Sequence, residues 1–330
     1  MTLGFQGKKI LFIGIGFYDY ESSIVKKLVL MGASVNYISD KCVWERSLGL
    51  SFFARAFRVD VEKRRENHLL QYLKALGDAD FDYVFVIKGD RLSDTFLTRL
   101  RAGFKSAKFI LYLWDSLIYV PTATRQLKYF DRVLSFDRID CMENTHLIFR
   151  PLFFRSRVET VECETKYDLS FIGLHHSERL DFILRINDWC LGNRLKTFLY
   201  LKTGRKYYFR KIFSKVNRYL HLTSLPYTQV TKIFQTSKVL LDFPHPDQNG
   251  LTIRTIESLG FGKKLITTNK DVTNYDFYND QNVLYVDPEF ENLDLDFFLS
   301  DYRQPSVEVL NRYSLENWLI DVFNIARAKS

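Results

Sequence analysis

Two kinds of apolar pattern alternate along the chain. Short, mainly apolar runs at residues 9–15, 34–38, 83–87, 108–113, 132–136, 168–173, 196–201, 239–243, 265–268 and 283–286 have the length of strands buried within a sheet. Between them, at 22–31, 62–76, 93–103, 178–191, 226–236 and 251–259, apolar residues recur every three to four positions and predict helices. Strand following helix in this way predicts crossover units on parallel sheets, an α/β fold.

The stretch from Lys238 to Asn269 organises the rest. Its strand runs into a polar loop with two prolines and a glycine, then into a helix that Gly260 and Gly262 are expected to end. A helix that starts there aims unpaired N–H groups at the carboxyl ends of the strands, where a phosphate can sit. Arg254 lies one turn in and adds a cation. Glu257 follows three residues on, along the same face, where a carboxylate can accept two hydrogen bonds from a ribose diol. The combination suits a nucleotide diphosphate, although the segment also reads as an ordinary core crossover with surface charges.

A chain of 330 residues holds about two domains. A charged, glutamate-rich stretch at 151–166 marks the linker, giving domains 1–155 and 156–330. No segment reaches the roughly 18 apolar residues of a membrane span. Lys8 and Lys9 precede a run interrupted by Gly14, Gly16 and Asp19, which reads as a first strand and not a signal peptide. Cys42, Cys141, Cys163 and Cys190 form no C-x-x-C pair, as expected of reduced thiols in a cytoplasmic protein without structural zinc. The net charge of +8 favours anionic company.

The wording Gln248-Asn249-Gly250-Leu251-Thr252, Arg254-Thr255-Ile256-Glu257 and Lys263 to Asn269 resembles the donor-binding signature of GT-B glycosyltransferases. In the common retaining version a second glutamate stands eight positions before the first; here that position is Asn249. Together with Tyr112 to Ser116, Phe136-Asp137-Arg138, Arg150 to Phe154 and Tyr275 to Tyr278, the segment is closer to bacterial lipopolysaccharide or capsule biosynthesis proteins. The resemblance implies two Rossmann-like domains facing across a cleft, an N-terminal one for the acceptor and a C-terminal one for a nucleotide-sugar donor. It also implies that the last helix, near 315–328, crosses back to the first domain.

The activity it implies is transfer of a sugar to a lipid-linked or oligosaccharide acceptor of the cell envelope, at the inner face of the membrane. The donor contacts it implies are Glu257 on the ribose, with Gln248, Gly250, Leu251, Thr252 and Arg254 around the diphosphate. Ser177 and Arg179, at the first turn of the C-terminal domain, join them as phosphate contacts, and His175 or His176 lines the cleft. Charge on the leaving diphosphate is met by a helix N-terminus and arginines, so neither a metal nor a cofactor is expected. An inverting reaction needs a base, for which Asp115 leads and Asp19 follows. Asp115, at the carboxyl end of a buried strand, also reads as an acceptor-positioning group or a helix cap. The alternative is a non-catalytic nucleotide-binding or assembly subunit of the same fold.

Other motifs weigh less. Gly14-Ile15-Gly16 follows the first strand, but Asp19 stands where a dinucleotide fingerprint wants a third glycine. His175 and His176 are adjacent and diverge, with no third ligand near in sequence. Asp-x-Asp triplets at 78–80, 80–82 and 294–296 read as solvated turns. Residues 205–220 predict one basic amphipathic helix with Phe209, Ile212, Phe213, Val216 and Leu220 on a single face, suited to a sheet or to an anionic membrane. Nothing resembles a recognised nucleic-acid module, and no nucleic-acid partner is expected.

Overall fold

The computed structural model describes residues 4–16, 19–46, 60–155, 157, 164–175, 177–245, 249–287 and 293–326. The chain forms two compact units, Met1–Pro151 with Leu315–Ser330, and Leu152–Ser314.

In unit 1, strands β1 (Lys9–Gly14), β2 (Ser34–Ser39), β3 (Tyr83–Ile87), β4 (Lys108–Leu113), β5 (Arg132–Ser135) and β6 (Ile148–Phe149) make one parallel sheet of order β2-β1-β3-β4-β5-β6. Helices α1 (Tyr20–Leu30), α2 (Val61–Leu76), α3 (Asp94–Gly103) and α4 (Arg138–Glu143) connect them. Side-chain oxygens start three of these helices: Asp60 accepts from Lys63 N–H, Ser93 from Phe96 N–H, and Asp137 from Ile139 N–H. One face of the sheet packs Leu97, Leu100 and Leu111 with Phe96, Phe104 and Phe109 into a mixed aliphatic and aromatic core. The other is aromatic: Tyr112 meets Trp318 edge to face at 4.7 Å, and Phe85 meets Phe323 at 5.1 Å. Trp318 and Phe323 belong to the last helix, Leu315–Phe323, whose final carbonyls at Asp321 and Val322 accept from the Arg132 guanidinium.

In unit 2, strands β7 (Tyr167–Leu174), β8 (Thr197–Lys202), β9 (Leu220–His221), β10 (Ser237–Asp242), β11 (Lys264–Thr267) and β12 (Val283–Tyr285) form a second parallel sheet, ordered β12-β11-β10-β7-β8-β9. Helices α5 (Ser177–Gly192), α6 (Arg205–Arg210), α7 (Tyr227–Gln235) and α8 (Ile253–Phe261) lie among these strands in sequence. Strand β10 buries Val239, Leu240 and Leu241 in succession because both its faces are covered there, which is why its sequence runs without alternation.

Three predicted boundaries move, each for a local reason. Gly260 does not end α8; it lies inside the helix, where an added Cβ would sit 2.6 Å from the Phe154 ring, and Gly262 alone makes the left-handed cap at φ 61°. The last helix stops at Phe323 and not near 328, since Asn324 turns left-handed at φ 53° and Ile325 N–H closes back on the Ile320 carbonyl. The single helix predicted over 205–220 is two pieces. After α6 the chain turns, and Ser214 caps a 3-10 turn at Lys215–Tyr219 by accepting from Val216 N–H. That break splits the predicted apolar face: Leu220 is buried, while Phe209, Ile212 and Phe213 face solvent.

Candidate active site

Strand order in unit 2 reverses between β7 and β10, and in sheets of this kind the crevice outside the carboxyl ends at such a reversal is where ligands bind. Arg254, in the first turn of α8, spans that point. One guanidinium nitrogen donates to Asp242 Oδ1 at 2.6 Å, at the end of β10, and the other to the Ile172 carbonyl of β7 at 2.5 Å. Thr255 Oγ1 donates to the second Asp242 oxygen at 2.9 Å, so the fully buried carboxylate is held on both sides. The guanidinium also lies over the Phe171 ring, and Gly173 leaves it room, since a Cβ there would come within 3.0 Å of Arg254.

Arg179, in the first turn of α5, approaches the same place and donates to the Leu174 carbonyl at 2.9 Å. Burial, and then the positive charge of Arg254, lower its pKa to about 10, against the opposing pull of Asp242. Two guanidinium groups thus share the field of one buried carboxylate.

The loop before α8 is fixed from β11's end: Asn269 Nδ2 donates to the Asn249 carbonyl at 2.9 Å and to that of Gly250 at 3.4 Å. Thr252 is the N-cap, accepting from Thr255 N–H, and Leu251 is buried beneath it. Glu257, one turn on from Arg254, is buried in an ion pair. Its Oε1 accepts from Arg155 Nε at 3.1 Å in a pair whose side chains are 3% and 4% exposed, and the Arg155 guanidinium lies over the Tyr227 ring of α7. His175 packs its ring against Tyr207 at 4.0 Å. Backbone places Ser177 at the start of α5. Gln248 and His176 lie outside the described residues.

Unit 1 has its own reversal, between β1 and β3. There the Gly14-Ile15-Gly16 turn is already filled: Glu21 Oε1 accepts from Ile15 N–H at 2.6 Å and Gly16 N–H at 3.1 Å, and Tyr37 donates to Oε2 at 2.8 Å. A carboxylate of the chain itself occupies the donors that a dinucleotide phosphate would use. Beyond β3, Lys88 takes a left-handed φ of 67°, and its Nζ pairs with Asp115 at 2.7 Å and Asp90 at 3.6 Å. Burial disfavours the Lys88 charge, but Asp115 and then Asp90 outweigh it and its pKa ends above the usual lysine value. Asp19 precedes α1 without a side-chain cap bond. Asp40, after β2, is 2% exposed with a hydrogen-bond partner on neither carboxylate oxygen. Burial raises its pKa to about 6, with Arg91 and Arg65 opposing and Asp90 and Glu45 assisting.

No protein-family model matches the sequence, and no curated protein does. Solved structures do. An α,α-trehalose-phosphate synthase (UDP-forming) from Burkholderia xenovorans, crystallised with glucose-6-phosphate, superposes with a TM-score of 0.62 at 12% identity, covering 96% of this chain and 99% of its own. A protein described as a UDP-N-acetylglucosamine 2-epimerase from Listeria monocytogenes gives 0.52 at 11% identity, covering 96% and 94%. The chain has the GT-B fold. At these identities the likeness is one of fold, so the residues themselves must carry the chemistry.

The structure brings Arg254 and Arg179 together at the unit 2 reversal, next to the loop of Gly250, Leu251 and Thr252. Glu257 is held in an ion pair with Arg155. Sequence reasoning missed Asp242, Arg155, Lys88 and Asp40. For Asp242 and Asp40 a signal existed, an acid at the last residue of a strand or just past it; for Arg155 none did. Among the described residues no group of three or more His, Cys, Asp or Glu could hold a metal ion, and no helix is long and apolar enough to cross a membrane.

Proposed function

We propose that the protein is a glycosyltransferase that takes its sugar from a nucleotide diphosphate donor held by unit 2. The observation that carries this is the pair Arg179 and Arg254 against the single buried carboxylate of Asp242, at the strand-order reversal and beside the N-terminus of α8. In glycosyl transfer the bond from the anomeric carbon to the phosphate oxygen breaks, and its electron pair leaves with the diphosphate. The acceptor oxygen bonds to the anomeric carbon and gives up its proton to a carboxylate of unit 1. An excess of fixed positive charge at the leaving group stabilises the transition state more than the bound donor. The α8 N–H groups add to it, so transfer is expected to proceed with magnesium chelated.

The names of the two similar structures support a UDP-linked donor. Unit 1 is assigned the acceptor, at the carboxyl edge of its sheet. Asp115, paired with Lys88, orients the acceptor hydroxyl, and Asp40, whose pKa is raised by burial, takes its proton; Asp19 is the weaker candidate because nothing positions its side chain. The acceptor, a lipid-linked or oligosaccharide chain of lipopolysaccharide, O-antigen or capsule, follows from the resemblance of the sequence.

The likeness to the epimerase favours a second reading, inversion at carbon 2 of a UDP-linked amino sugar without an acceptor. Calorimetric titration with UDP, GDP, CMP, dTDP and ADP, with and without magnesium, tests both. One nucleoside diphosphate should bind without metal; binding by none of them sinks both readings. Incubating UDP-N-acetylglucosamine with the enzyme alone then separates them, since only an epimerase yields the 2-epimer.

A further inference from the structure

The segment from Trp189 to Leu241 contains eleven lysines and arginines and no aspartate or glutamate, a surplus larger than the +8 of the whole chain. Within it the two pieces that replace the predicted 205–220 helix turn one set of aromatics inward and another outward. Tyr207, Tyr208, Val216 and Tyr219 pack on the unit 2 core. Phe209, Ile212 and Phe213 point away from it, at 58%, 41% and 102% exposure. Around them stand Lys206, Arg210, Lys211, Lys215 and Arg218; Arg210 and Arg218 lie over the rings of Tyr207 and Tyr219, and none of the five is ion-paired among the described residues.

Phe213 stands wholly in water between Lys211 and Lys215, with Phe209 and Ile212 exposed beside it in sequence. We propose that this projection docks the protein on an anionic phospholipid bilayer, with Ile212 and Phe213 entering the headgroup boundary and the cations resting on lipid phosphates. The charge complementarity names the partner, and the apolar tip selects among anionic ones. A polynucleotide would reward the cations and could stack on phenylalanine, but it offers Ile212 nothing. Nothing in this inference depends on what unit 2 binds.

The test is cosedimentation of the full-length protein with vesicles of phosphatidylcholine alone and of phosphatidylcholine with phosphatidylglycerol, at low and high salt. The expected result is binding to the anionic vesicles only, weakened by salt. The double substitution Ile212→Ser with Phe213→Ser should lower the partition by about tenfold or more, since both side chains lose their burial in the bilayer. Lys211→Glu with Lys215→Glu should do the same at low salt. Both pairs are at the surface, so circular dichroism and thermal unfolding should match the wild type. No binding to phosphatidylglycerol vesicles at low salt would overturn the proposal. So would unchanged vesicle binding by both double variants, or their loss of single-stranded DNA binding with vesicle binding kept.

Discussion

Glu257 and Arg155, 102 residues apart in sequence, meet at 3.1 Å with both side chains almost wholly out of water. Neither charge has bulk solvent to fall back on, so removing one strands the other. Glu257→Ala should therefore cost about 3–5 kcal/mol of stability whatever Glu257 does for a ligand. Chemical denaturation of Glu257→Ala, Glu257→Gln and the paired Arg155→Met with Glu257→Leu checks it. The paired variant should be the most stable of the three, because it removes both charges. If Glu257→Ala melts like the wild type, the pair is not coupled. Loss of nucleotide binding is evidence for a ribose contact only in a variant that stays folded, and Glu257→Gln is the one to use.

Arg179 is the contrasting case. Its charge is opposed by burial and by Arg254, and its hydrogen bond goes to a carbonyl, not to a carboxylate. Arg179→Gln should leave stability unchanged or slightly higher while weakening nucleoside diphosphate binding by about 1.5–3 kcal/mol, the range for a charged hydrogen bond. Calorimetry and thermal unfolding on the same preparation read both quantities. A variant that binds as the wild type does would remove Arg179 from the site.

Much of the fold is legible because buried parallel strands cannot alternate, and the apolar runs therefore mark the sheets directly. The loop-to-α8 signature is legible for the same reason, since Thr252, Arg254 and Glu257 are fixed by local spacing. What the local pattern lacks is the far partner. Nothing in the spacing of α8 says that Arg254 turns to Asp242, twelve residues back, or that Glu257 turns to Arg155. The 205–220 stretch misleads differently: its apolar period continues through Ser214, yet that side chain gives the backbone a competing partner and starts a new turn.

Gly260 tests packing at the α8 crossover. Ala is the better helix former by about 1 kcal/mol, but here its Cβ meets the Cβ and Cγ of Phe154, whose backbone is tied to Tyr313 at 2.9 Å. Gly260→Ala should lower stability by about 1–3 kcal/mol despite the propensity gain. Urea unfolding decides it, and a stabilised variant would mean Phe154 moves freely.

Asp40 gives a pH dependence with a defined sign. Its folded pKa, about 6, lies above the unfolded value of 3.8, so the folded state binds its proton more tightly. The associated stability is complete below the unfolded value and is lost as pH rises through about 6, amounting to about 3 kcal/mol. Asp140 is also raised to about 6, mainly by burial, so the pH profile of the wild type sums both groups. Asp40→Asn isolates one: it should melt higher than wild type at pH 8 and no higher near pH 4. Equal melting temperatures at pH 8 would show that Asp40 is not destabilised as an anion.

The carboxylate of Glu21, from the first turn of α1, fills the Gly14-Ile15-Gly16 loop of unit 1. Both units carry a strand-order reversal of the sort that receives nucleotides, but in unit 1 the glycine-turn donors and the Tyr37 hydroxyl are already committed to that side chain. On the proposed function unit 2 alone takes a nucleotide, and a titration should saturate at one equivalent.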